Sequence, residues 1–164
     1  MNITIRKATS EDKSSIISIF NYYVENSFAA YPEKKVGDEF FDRLKNITYN
    51  DSFYVIENSK AGVIGFGLLK KYHPADTLQR TAELTYFLHH EYLRFGLGNK
   101  LLDVLFSDAR NYGVRTLLAH ISSLNEISIN FHLRNGFTEC GRFKCVGKKF
   151  GKEFDVVWVQ KFLE

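Results

Sequence analysis

The spacing of hydrophobic residues predicts a chain that alternates between amphipathic helices and short strands. The first predicted helix is capped by Thr9 or Ser10, and its apolar residues recur at spacings of three and four, as they do in a helix with one buried face. The same spacing predicts a second helix over residues 38–46. Residues 27–36, which lie between these two helices and include Pro32, are predicted to form a loop.

Short runs of alternating or continuously apolar residues predict the strands, and two further helices lie among the later ones. One of these helices follows Gly98 and stops at Gly113, and the other is capped by Asn125. The predicted strands are residues 3–6, 52–57, 63–69, 82–89, 115–121, 138–146 and 153–162. Together these elements predict an α/β sheet protein with helices on both faces of the sheet.

Composition narrows the class of protein. The 164 residues suit a single domain, so residues 1–164 are predicted to form one. The net charge is only +3 and the basic residues form no stripe, which argues against a nucleic-acid binder. No apolar run approaches the roughly 18 residues of a membrane helix, and the first residues do not resemble a signal peptide. We therefore expect a cytoplasmic protein in which Cys140 and Cys145 are reduced thiols.

Residues 94–100 (RFGLGNK) form the most informative segment, because two glycines separated by one residue lie between a predicted strand and a predicted helix. Glycines allow a tight turn and a close approach of the main chain to a ligand. The first N–H groups of a helix have no intrahelical acceptor, and the helix dipole favours an anion there. The segment is therefore predicted to bind an anion, with the pyrophosphate of a cofactor as the expected ligand.

Other common ligand-binding motifs do not fit the sequence. A dinucleotide-binding turn requires a third glycine, and that position is Leu101. A P-loop requires Gly-Lys-Ser/Thr after a four-residue gap, and the sequence contains no such motif. His89 and His90 are adjacent but lack further ligands at a metal-binding spacing, so no metal site is expected.

Four parts of the sequence together resemble the GNAT acetyltransferase superfamily, and within it the branch of phosphinothricin (amino-acid) N-acetyltransferases. They occur in the order expected of that family and cover nearly the whole chain. They are IRKATSED (residues 5–12) with FNYYVENS (20–27), TAELTY (81–86), N-x-x-S-x-x-FH-x-x-x-GF (125–137) and VGKKFGKEFDVVW (146–158). The resemblance implies a mixed, largely antiparallel sheet of about seven strands with splayed central strands. It also implies an enzyme that uses acetyl-CoA as acetyl donor.

The resemblance further implies which residues bind acetyl-CoA. The glycine segment would bind the pyrophosphate, and the pantetheine arm would lie between strands 82–89 and 115–121, bound by main-chain groups like an added strand. The implied cofactor-binding residues are Phe87, Leu88, Arg94, Phe95, Gly96, Leu97, Gly98, Asn99, Lys100, Asn125 and Ser128. Leu93 replaces the family's Gln or Arg three residues before the first glycine, so Arg94 and Lys100 are expected to compensate.

Two residues are predicted to take part in the chemistry. Glu83 is a carboxylate in an otherwise apolar strand and matches the family's catalytic glutamate, so it is predicted to accept the amine's proton directly or through water. His132 shares a helix face with Asn125 and Ser128, where most of the superfamily has a tyrosine that protonates the departing thiolate. It is predicted to act as an acid or a polar partner. A solvent-facing glutamate and a packed histidine are the alternative interpretations.

The predicted acetyl acceptor is a small primary amine, with Phe28, Tyr31 and Tyr72 as candidate residues of its pocket. An arginine and a tyrosine that often precede the catalytic strand in the phosphinothricin branch correspond to Ala75 and Leu78, which argues against a phosphinothricin-type substrate. Direct transfer in a ternary complex is expected, because neither cysteine falls at a motif position. The alternatives are acetylation of a protein or peptide amine and a non-catalytic acyl-CoA-binding module. The aromatic C-terminal strands are candidates for a homodimer interface.

Overall fold

The computed structural model describes residues 2–164 and places seven strands in one sheet, in the order β1-β2-β3-β4-β5-β7-β6. The strands are β1 (Ile3–Lys7), β2 (Thr48–Asn58), β3 (Gly62–Lys71), β4 (Thr81–Leu88), β5 (Thr116–Ser122), β6 (Thr138–Lys149) and β7 (Lys152–Phe162). All neighbouring pairs are antiparallel except β4 and β5, which run parallel. The prediction of a mixed, largely antiparallel α/β sheet is confirmed.

Four helices cover the two faces of the sheet, as the hydrophobic spacing predicts. They are α1 (Lys13–Asn26), α2 (Asp38–Ile47), α3 (Leu97–Asn111) and α4 (Glu126–Arg134). One core cluster joins the buried residues of α1 and α2 to Phe87, and a second joins those of α3 to Leu88. Because successive residues of a strand point to opposite sides, the two clusters lie on opposite faces of the sheet. We call these the α1/α2 face and the α3/α4 face.

The parallel strands β4 and β5 are joined over a short segment only, residues 81–83 of β4 and residues 116–118 of β5. Beyond Glu83 the two strands separate, so residues 84–88 pair with β3 but not with β5. β5 instead continues to pair with β7 as far as Ser122. The sheet therefore has a wedge-shaped opening between its two halves, as the resemblance implies, and we call it the β4–β5 gap.

The start of β2 differs from its prediction for a local backbone reason. The strand begins at Thr48 rather than at residue 52. Asn50 and Asp51 have positive φ angles of 44° and 58°, and the pairing register with β3 shifts between Thr48 and Phe53. This bulge interrupts the alternation of buried and exposed side chains, so the hydrophobic pattern does not reveal that the strand continues through it.

The part of the chain that the structure describes contains neither a candidate membrane-spanning helix nor a candidate metal site. No helix within residues 2–164 is long and apolar enough to span a membrane. The same residues contain no cluster of three or more His, Cys, Asp or Glu side chains that could hold a metal ion.

Candidate active site

The glycine segment forms the turn that leads into α3. Gly96 is the N-cap residue of this helix and adopts a left-handed conformation with φ of 73°, which glycine tolerates far better than other residues. No side chain caps the helix N-terminus. The N–H groups of Leu97, Gly98 and Asn99 therefore lie in the first turn of α3 without an intrahelical acceptor. The turn leaves these donors open to an anion, as predicted.

The two glycines of the turn serve different purposes. A Cβ atom on Gly96 would meet no atom within 4 Å, so this position needs glycine for its positive φ. A Cβ atom on Gly98 would lie 2.9 Å from the Cζ atom of Phe131, which packs α4 against the start of α3. The packing of α4 on α3 therefore requires glycine at position 98. The group that Gly98 can present to a ligand is its N–H. The side chain of Leu97 is likewise buried in the core.

The side chains around the turn suit a diphosphate. Arg94 and Lys100 are both exposed on either side of the open N–H groups, where their positive charges add to that of the helix dipole. Phe95 is 60% exposed, so its side chain is not part of the core. The Asn135 side chain donates a hydrogen bond to Asn99 Oδ1 at 3.2 Å, which ties the first turn of α3 to the end of α4.

Main-chain groups of β4 line the β4–β5 gap. The His89 N–H, directly after β4, donates a hydrogen bond to a carbonyl of β3 at 2.8 Å. The main-chain groups of successive residues point alternately to the two sides of a strand. Those of Phe87 therefore point toward β3, whereas those of Tyr86 and Leu88 point toward the gap. Phe87 is thus not placed to bind an arm in the gap through its main chain, and Leu88 is. The Leu88 carbonyl already accepts a hydrogen bond from the Tyr23 hydroxyl at 2.6 Å, which leaves its N–H for a ligand.

Glu83 lies at the apex of the β4–β5 gap, as the last residue of β4 that pairs with β5. Its side chain is only 12% exposed and points to the α1/α2 face. The Lys70 Nζ atom lies 2.9 Å from Glu83 Oε2, and the His120 Nε2 atom lies 3.5 Å from the same oxygen. Glu83 is therefore a paired carboxylate in a largely enclosed site, and the alternative of a solvent-facing residue does not describe it.

A tyrosine from the loop after α1 completes this group. The Tyr31 hydroxyl lies 3.0 Å from His120 Nδ1, and the Tyr31 ring stacks on His120 and on Phe154 at centroid distances of 5.6 and 5.9 Å. Burial and the nearby Glu83 carboxylate raise the pKa of Tyr31 to about 12. Burial and the Lys70 ammonium lower the pKa of His120, against the opposing effect of Glu83. We call Lys70, Glu83, His120 and Tyr31 the Glu83 cluster.

His132, the other predicted catalytic residue, lies on the opposite face of the sheet from Glu83. It is 2% exposed and packs against the rings of Tyr86 and Phe137. Its Nδ1 atom lies 2.8 Å from the Ser128 carbonyl, which can only accept, so Nδ1 carries the proton. Burial lowers the pKa of His132, so the ring is neutral near pH 7 and its Nε2 atom holds a free lone pair. In this state His132 fits the predicted polar partner better than the predicted acid.

Two buried polar atoms on this face have no hydrogen-bond partner among residues 2–164, His132 Nε2 and the Tyr86 hydroxyl. Burial raises the pKa of Tyr86, against a smaller opposing effect of the nearby Ser128 side chain, so its hydroxyl stays protonated and can donate. Buried polar groups nearly always have a hydrogen-bond partner. The free acceptor, His132 Nε2, and the free donor, the Tyr86 hydroxyl, therefore indicate a place for the polar part of a ligand. Tyr86 belongs to the part of β4 that borders the β4–β5 gap. Both atoms therefore suit a ligand that enters the gap.

Asn125 and Ser128 organise the start of α4. The Asn125 side chain accepts a hydrogen bond from the Ser128 N–H at 3.3 Å and so caps the helix. The Ser128 hydroxyl lies 3.4 Å from His132 Nδ1. Asn125, Ser128 and His132 therefore follow one another along one face of α4, as predicted, and are linked by hydrogen bonds. Contact of Asn125 and Ser128 with the pantetheine arm stays a prediction.

The three candidate residues of the acceptor pocket fall into two groups. The Phe28 ring lies 6.1 Å from that of Phe154, on which Tyr31 also stacks, so these two candidates lie together. Tyr72 instead lines a pocket of about 380 Å³. The other residues of this pocket are Leu118, Cys140, Gly141, Arg142, Phe143 and Trp158. The ring of Trp158 lies 4.9 Å from that of His120, so the pocket adjoins the Glu83 cluster.

Lys149, which the sequence analysis does not assign, holds the loop that carries Tyr31. It is 1% exposed, and its Nζ atom donates to the carbonyls of Ser27 at 2.7 Å and Ala30 at 2.6 Å. A buried ammonium is stable only where hydrogen bonds replace its water, and these carbonyls supply them. The end of β6 thereby fixes the position of Tyr31 over His120.

Lys70 and His120 are further residues that the sequence analysis does not place in the site, and each has a signal in the strand register. Lys70 pairs with Glu83 across β3 and β4, so an opposite charge lies directly beside the predicted catalytic residue. His120 lies two residues after Leu118, which pairs with Glu83 in β5, and therefore shares its face of the sheet. The register of β3, β4 and β5 around Glu83 therefore identifies Lys70 and His120 as residues of the site.

Comparisons with known proteins agree with this architecture. Residues 5–158 match the family model described as an acetyltransferase (GNAT) domain. The L-methionine sulfoximine/L-methionine sulfone acetyltransferase of Pseudomonas aeruginosa is 30% identical over 100% of this chain and 96% of its own. A phosphinothricin acetyltransferase from Sinorhizobium meliloti, solved in complex with AcCoA, superposes with a TM-score of 0.91 at 28% identity, over 99% of this chain and 89% of its own.

A ribosomal-protein-alanine N-acetyltransferase from Brucella melitensis also superposes closely, with a TM-score of 0.86 at 32% identity over 98% of this chain and 99% of its own. The family match covers most of the chain, and the resemblance to the phosphinothricin branch is confirmed by these relatives. The chain belongs to the GNAT acetyltransferase family, and it is an acetyltransferase.

Proposed function

We propose that residues 1–164 act as one N-acetyltransferase domain that transfers the acetyl group of acetyl-CoA directly to the primary amine of a small, amino-acid-like molecule. The observation that carries this proposal is the position of Glu83 at the apex of the β4–β5 gap, on the strand that leads to the open N-terminus of α3. Relatives named for methionine sulfoximine and phosphinothricin, one of them solved with AcCoA, support the substrate class and the donor.

The chain would bind the donor mainly through its main chain. The N–H groups of residues 97–99, with the charges of Arg94 and Lys100, would hold the diphosphate, and the Leu88 N–H would hold the pantetheine arm in the gap. When bound, acetyl-CoA supplies an acyl group activated as a thioester. Residues at the apex of the gap would then lie beside the reacting carbonyl, and Glu83 is the carboxylate that β4 supplies there.

The acceptor must lose a proton before its nitrogen can attack. An amine with a pKa of about 10.4 costs roughly 4–5 kcal/mol to neutralise at pH 7, and an α-amine with a pKa near 8 costs only about 1 kcal/mol. A proton acceptor in the site therefore matters most for an amine of high pKa. The Glu83 cluster supplies that acceptor on the α1/α2 face.

The pocket beside the Glu83 cluster favours an acceptor with an apolar side chain. Its wall includes Tyr72, Leu118 and Trp158. Arg142, the cation in this wall, is already paired with two carboxylates at 3.1 and 3.3 Å. An apolar or aromatic amino acid or its amine analogue is therefore the expected acceptor, rather than a dicarboxylate.

A thiol-release assay over a panel of amines tests the function. The panel holds apolar and aromatic amino acids, methionine sulfoximine, phosphinothricin, polyamines and peptides, and release of CoA thiol with an apolar amino-acid-like amine is the expected result. No release with any amine, despite tight acetyl-CoA binding, would establish the alternative of a non-catalytic acyl-CoA-binding module.

The glycine turn is tested by a charge placed in it. Gly96→Glu should abolish acetyl-CoA binding in calorimetry, because a carboxylate would face the diphosphate. Gly62→Glu is the matched control, since Gly62 also has a positive φ of 74° with no atom within 4 Å of a Cβ, but lies at the start of β3, next to the β2–β3 turn. Equal affinities of the two variants would show that the turn does not bind the donor.

A protein or peptide amine is the second candidate acceptor, and the likeness to a ribosomal-protein-alanine N-acetyltransferase favours it. Peptides with an N-terminal alanine belong in the panel for this reason. We place small amines first because the ring of Tyr31, on a loop anchored by Lys149, stacks on His120 and leaves less room for a protein substrate beside it. Faster turnover of such peptides than of any free amino acid would reverse this order.

We also propose that the enzyme is a cytoplasmic homodimer. The last two strands and their turn expose several large apolar side chains, which is unusual for a surface that stays in water. They are Phe143, Val146, Phe150 and Phe162. Cys140 and Cys145 are exposed free thiols, which suits a reducing compartment. Light scattering should give twice the chain mass of 19.0 kDa, and a monomer mass would contradict the dimer.

A further inference from the structure

We propose that Tyr31, His120 and Glu83 form a proton relay for the acceptor amine, in which the Tyr31 hydroxyl contacts the amine and His120 receives the proton that Tyr31 gives up. The relay rests on the proposed function and deepens it. It assigns Glu83 to the support of a charged His120 rather than to direct contact with the amine.

The distances within the cluster define one hydrogen-bonding pattern. The Tyr31 hydroxyl lies 3.0 Å from His120 Nδ1, and the Glu83 carboxylate, which can only accept, lies 3.5 Å from His120 Nε2. A neutral imidazole has one donor and one acceptor nitrogen. His120 therefore carries its proton on Nε2, toward Glu83, and accepts the Tyr31 hydroxyl proton at Nδ1. The Nε2 distance exceeds a full hydrogen bond, and such catalytic contacts tighten when substrate binds.

Tyr31 is more exposed to solvent than Glu83. Glu83 is 12% exposed, and its Oε2 atom is shared between Lys70 and His120. Tyr31 is 38% exposed and its hydroxyl lies at the outer end of the chain of contacts. The relay therefore takes Tyr31, which is more exposed than Glu83, as the residue that contacts the amine.

The proton transfer balances within these groups. The bound ammonium gives one proton to the Tyr31 oxygen as the phenolic proton passes to His120 Nδ1, so that Tyr31 ends neutral and His120 ends as an imidazolium. The freed lone pair of the amine forms the C–N bond while the C–S bond of the thioester breaks. A second proton leaves the nitrogen and neutralises the departing thiolate. His120 then returns its proton to water.

The charges that face His120 suit this sequence. Lys70 comes from β3, Glu83 from β4 and Tyr31 from the loop after α1, while Trp158 from β7 is uncharged. Burial and Lys70 lower the pKa of His120, so the ring starts neutral at pH 7. The Glu83 carboxylate stabilises the imidazolium once it forms. The high pKa of Tyr31, about 12, means that this hydroxyl passes a proton on and does not act as a preformed base.

The test is the pH profile of kcat/KM for Tyr31→Phe, which removes the hydroxyl and keeps the ring. With an acceptor amine of pKa near 10, wild-type kcat/KM should be level well below that pKa, because the relay deprotonates the bound ammonium. The variant should depend on free amine, so its rate should rise tenfold per pH unit. We expect a deficit of about 10³-fold at pH 7 that falls below about tenfold near pH 10.

Tyr112→Phe is the matched control, because it removes a hydroxyl that lies beyond α3, beside Tyr49. It should keep the wild-type profile. The double variant Tyr31→Phe/His120→Gln should be no slower than the slower single variant, since both remove one relay. A deficit of Tyr31→Phe that is equal at every pH, unchanged rates, or additive losses would each overturn the relay.

Failure of the relay is distinguishable from failure of the proposed function. Turnover by the wild type together with a wild-type profile for Tyr31→Phe overturns the relay alone. No turnover by the wild type with any amine of the panel overturns the proposed function, and the relay with it.

Discussion

Each face of the sheet carries one histidine beside β4, and the two have opposite surroundings. His120 on the α1/α2 face lies among charged groups, and both its ring nitrogens have partners. His132 on the α3/α4 face lies among aromatic rings, with Nδ1 bonded to a carbonyl and Nε2 without a partner in the described chain. Burial lowers the pKa of both rings, but only His120 has a carboxylate beside it to stabilise its charged form.

The surroundings of the two histidines indicate different roles for the two faces of the sheet. A histidine next to a carboxylate can become charged during a reaction and return, whereas one in an apolar setting is held in its neutral form. We therefore expect proton movement on the α1/α2 face. The α3/α4 face instead offers fixed polar contacts at the edge of the β4–β5 gap. The following substitutions break one face at a time.

Loss of the Glu83 carboxylate should have the largest effect. Glu83→Gln removes the charge that stabilises the His120 imidazolium, so kcat/KM should fall by about 10²–10⁴-fold. Acetyl-CoA affinity, measured by calorimetry, should change by less than about twofold. Glu57→Gln is the control, because Glu57 is also a strand glutamate paired with a cation, at 2.8 Å from Arg6. Wild-type turnover by the Glu83 variant would remove this carboxylate from the mechanism.

A change on the other face should cost less and should not depend on pH. His132→Phe removes the Nε2 acceptor from an otherwise apolar setting, and we expect a loss of roughly tenfold to 10²-fold in kcat with acetyl-CoA binding retained. Because burial lowers the pKa of His132 and keeps the ring neutral at and above pH 7, the deficit should be equal from about pH 7 to 9. Steady-state rates across this range check the expectation. A deficit that varies with pH would show that His132 also exchanges a proton.

Release of the loop that carries Tyr31 should disturb the α1/α2 face and lower the stability of the fold. Lys149→Met leaves the carbonyls of Ser27 and Ala30 without their donor, and we expect the free energy of unfolding to fall by about 2–4 kcal/mol. Thermal unfolding measures this loss. The control is Lys148→Met, since Lys148 is the exposed neighbour. Equal melting temperatures of the two variants would mean that the buried ammonium does not hold the loop.

Removal of the Lys70 charge should have the smallest effect, a displacement of the pH profile. The Lys70 ammonium lowers the pKa of His120, so Lys70→Met should raise that pKa. The relay needs a neutral His120, and activity is lost as the pH falls through its pKa. The acidic limb of kcat/KM should therefore move to higher pH. A limb that stays in place, or moves to lower pH, would contradict the assigned role of His120.

Most of the fold follows from hydrophobic spacing, because helices and strands each bury a regular set of positions. All seven strands and four helices lie close to their predicted ranges. The glycine turn and Glu83 are also accessible to sequence analysis, since each depends on a local pattern. The bulge at Asn50 and Asp51 is not, because left-handed residues break the alternation that marks a strand.

The rest of the site depends on contacts between distant parts of the chain. Tyr31 and His120 are 89 residues apart, and Lys149 reaches the carbonyl of Ala30 across 119 residues. No local pattern specifies such pairs, which arise from strand register and loop placement. Each of Glu83 and His132 is identified by its own sequence motif. That they lie on opposite faces becomes evident only from the arrangement of the strands in the sheet.

The proposed donor side of the gap presents mostly peptide groups, from Leu88 and from the first turn of α3. A peptide N–H is the same whichever side chain it carries, so substitutions can accumulate at these positions without altering what the ligand meets. The acceptor side is built from particular side chains and tolerates far less change. One such scaffold can therefore diverge widely in sequence while it retains its donor, and can acquire a new acceptor by exchanging a handful of pocket residues such as Tyr72, Leu118 and Trp158.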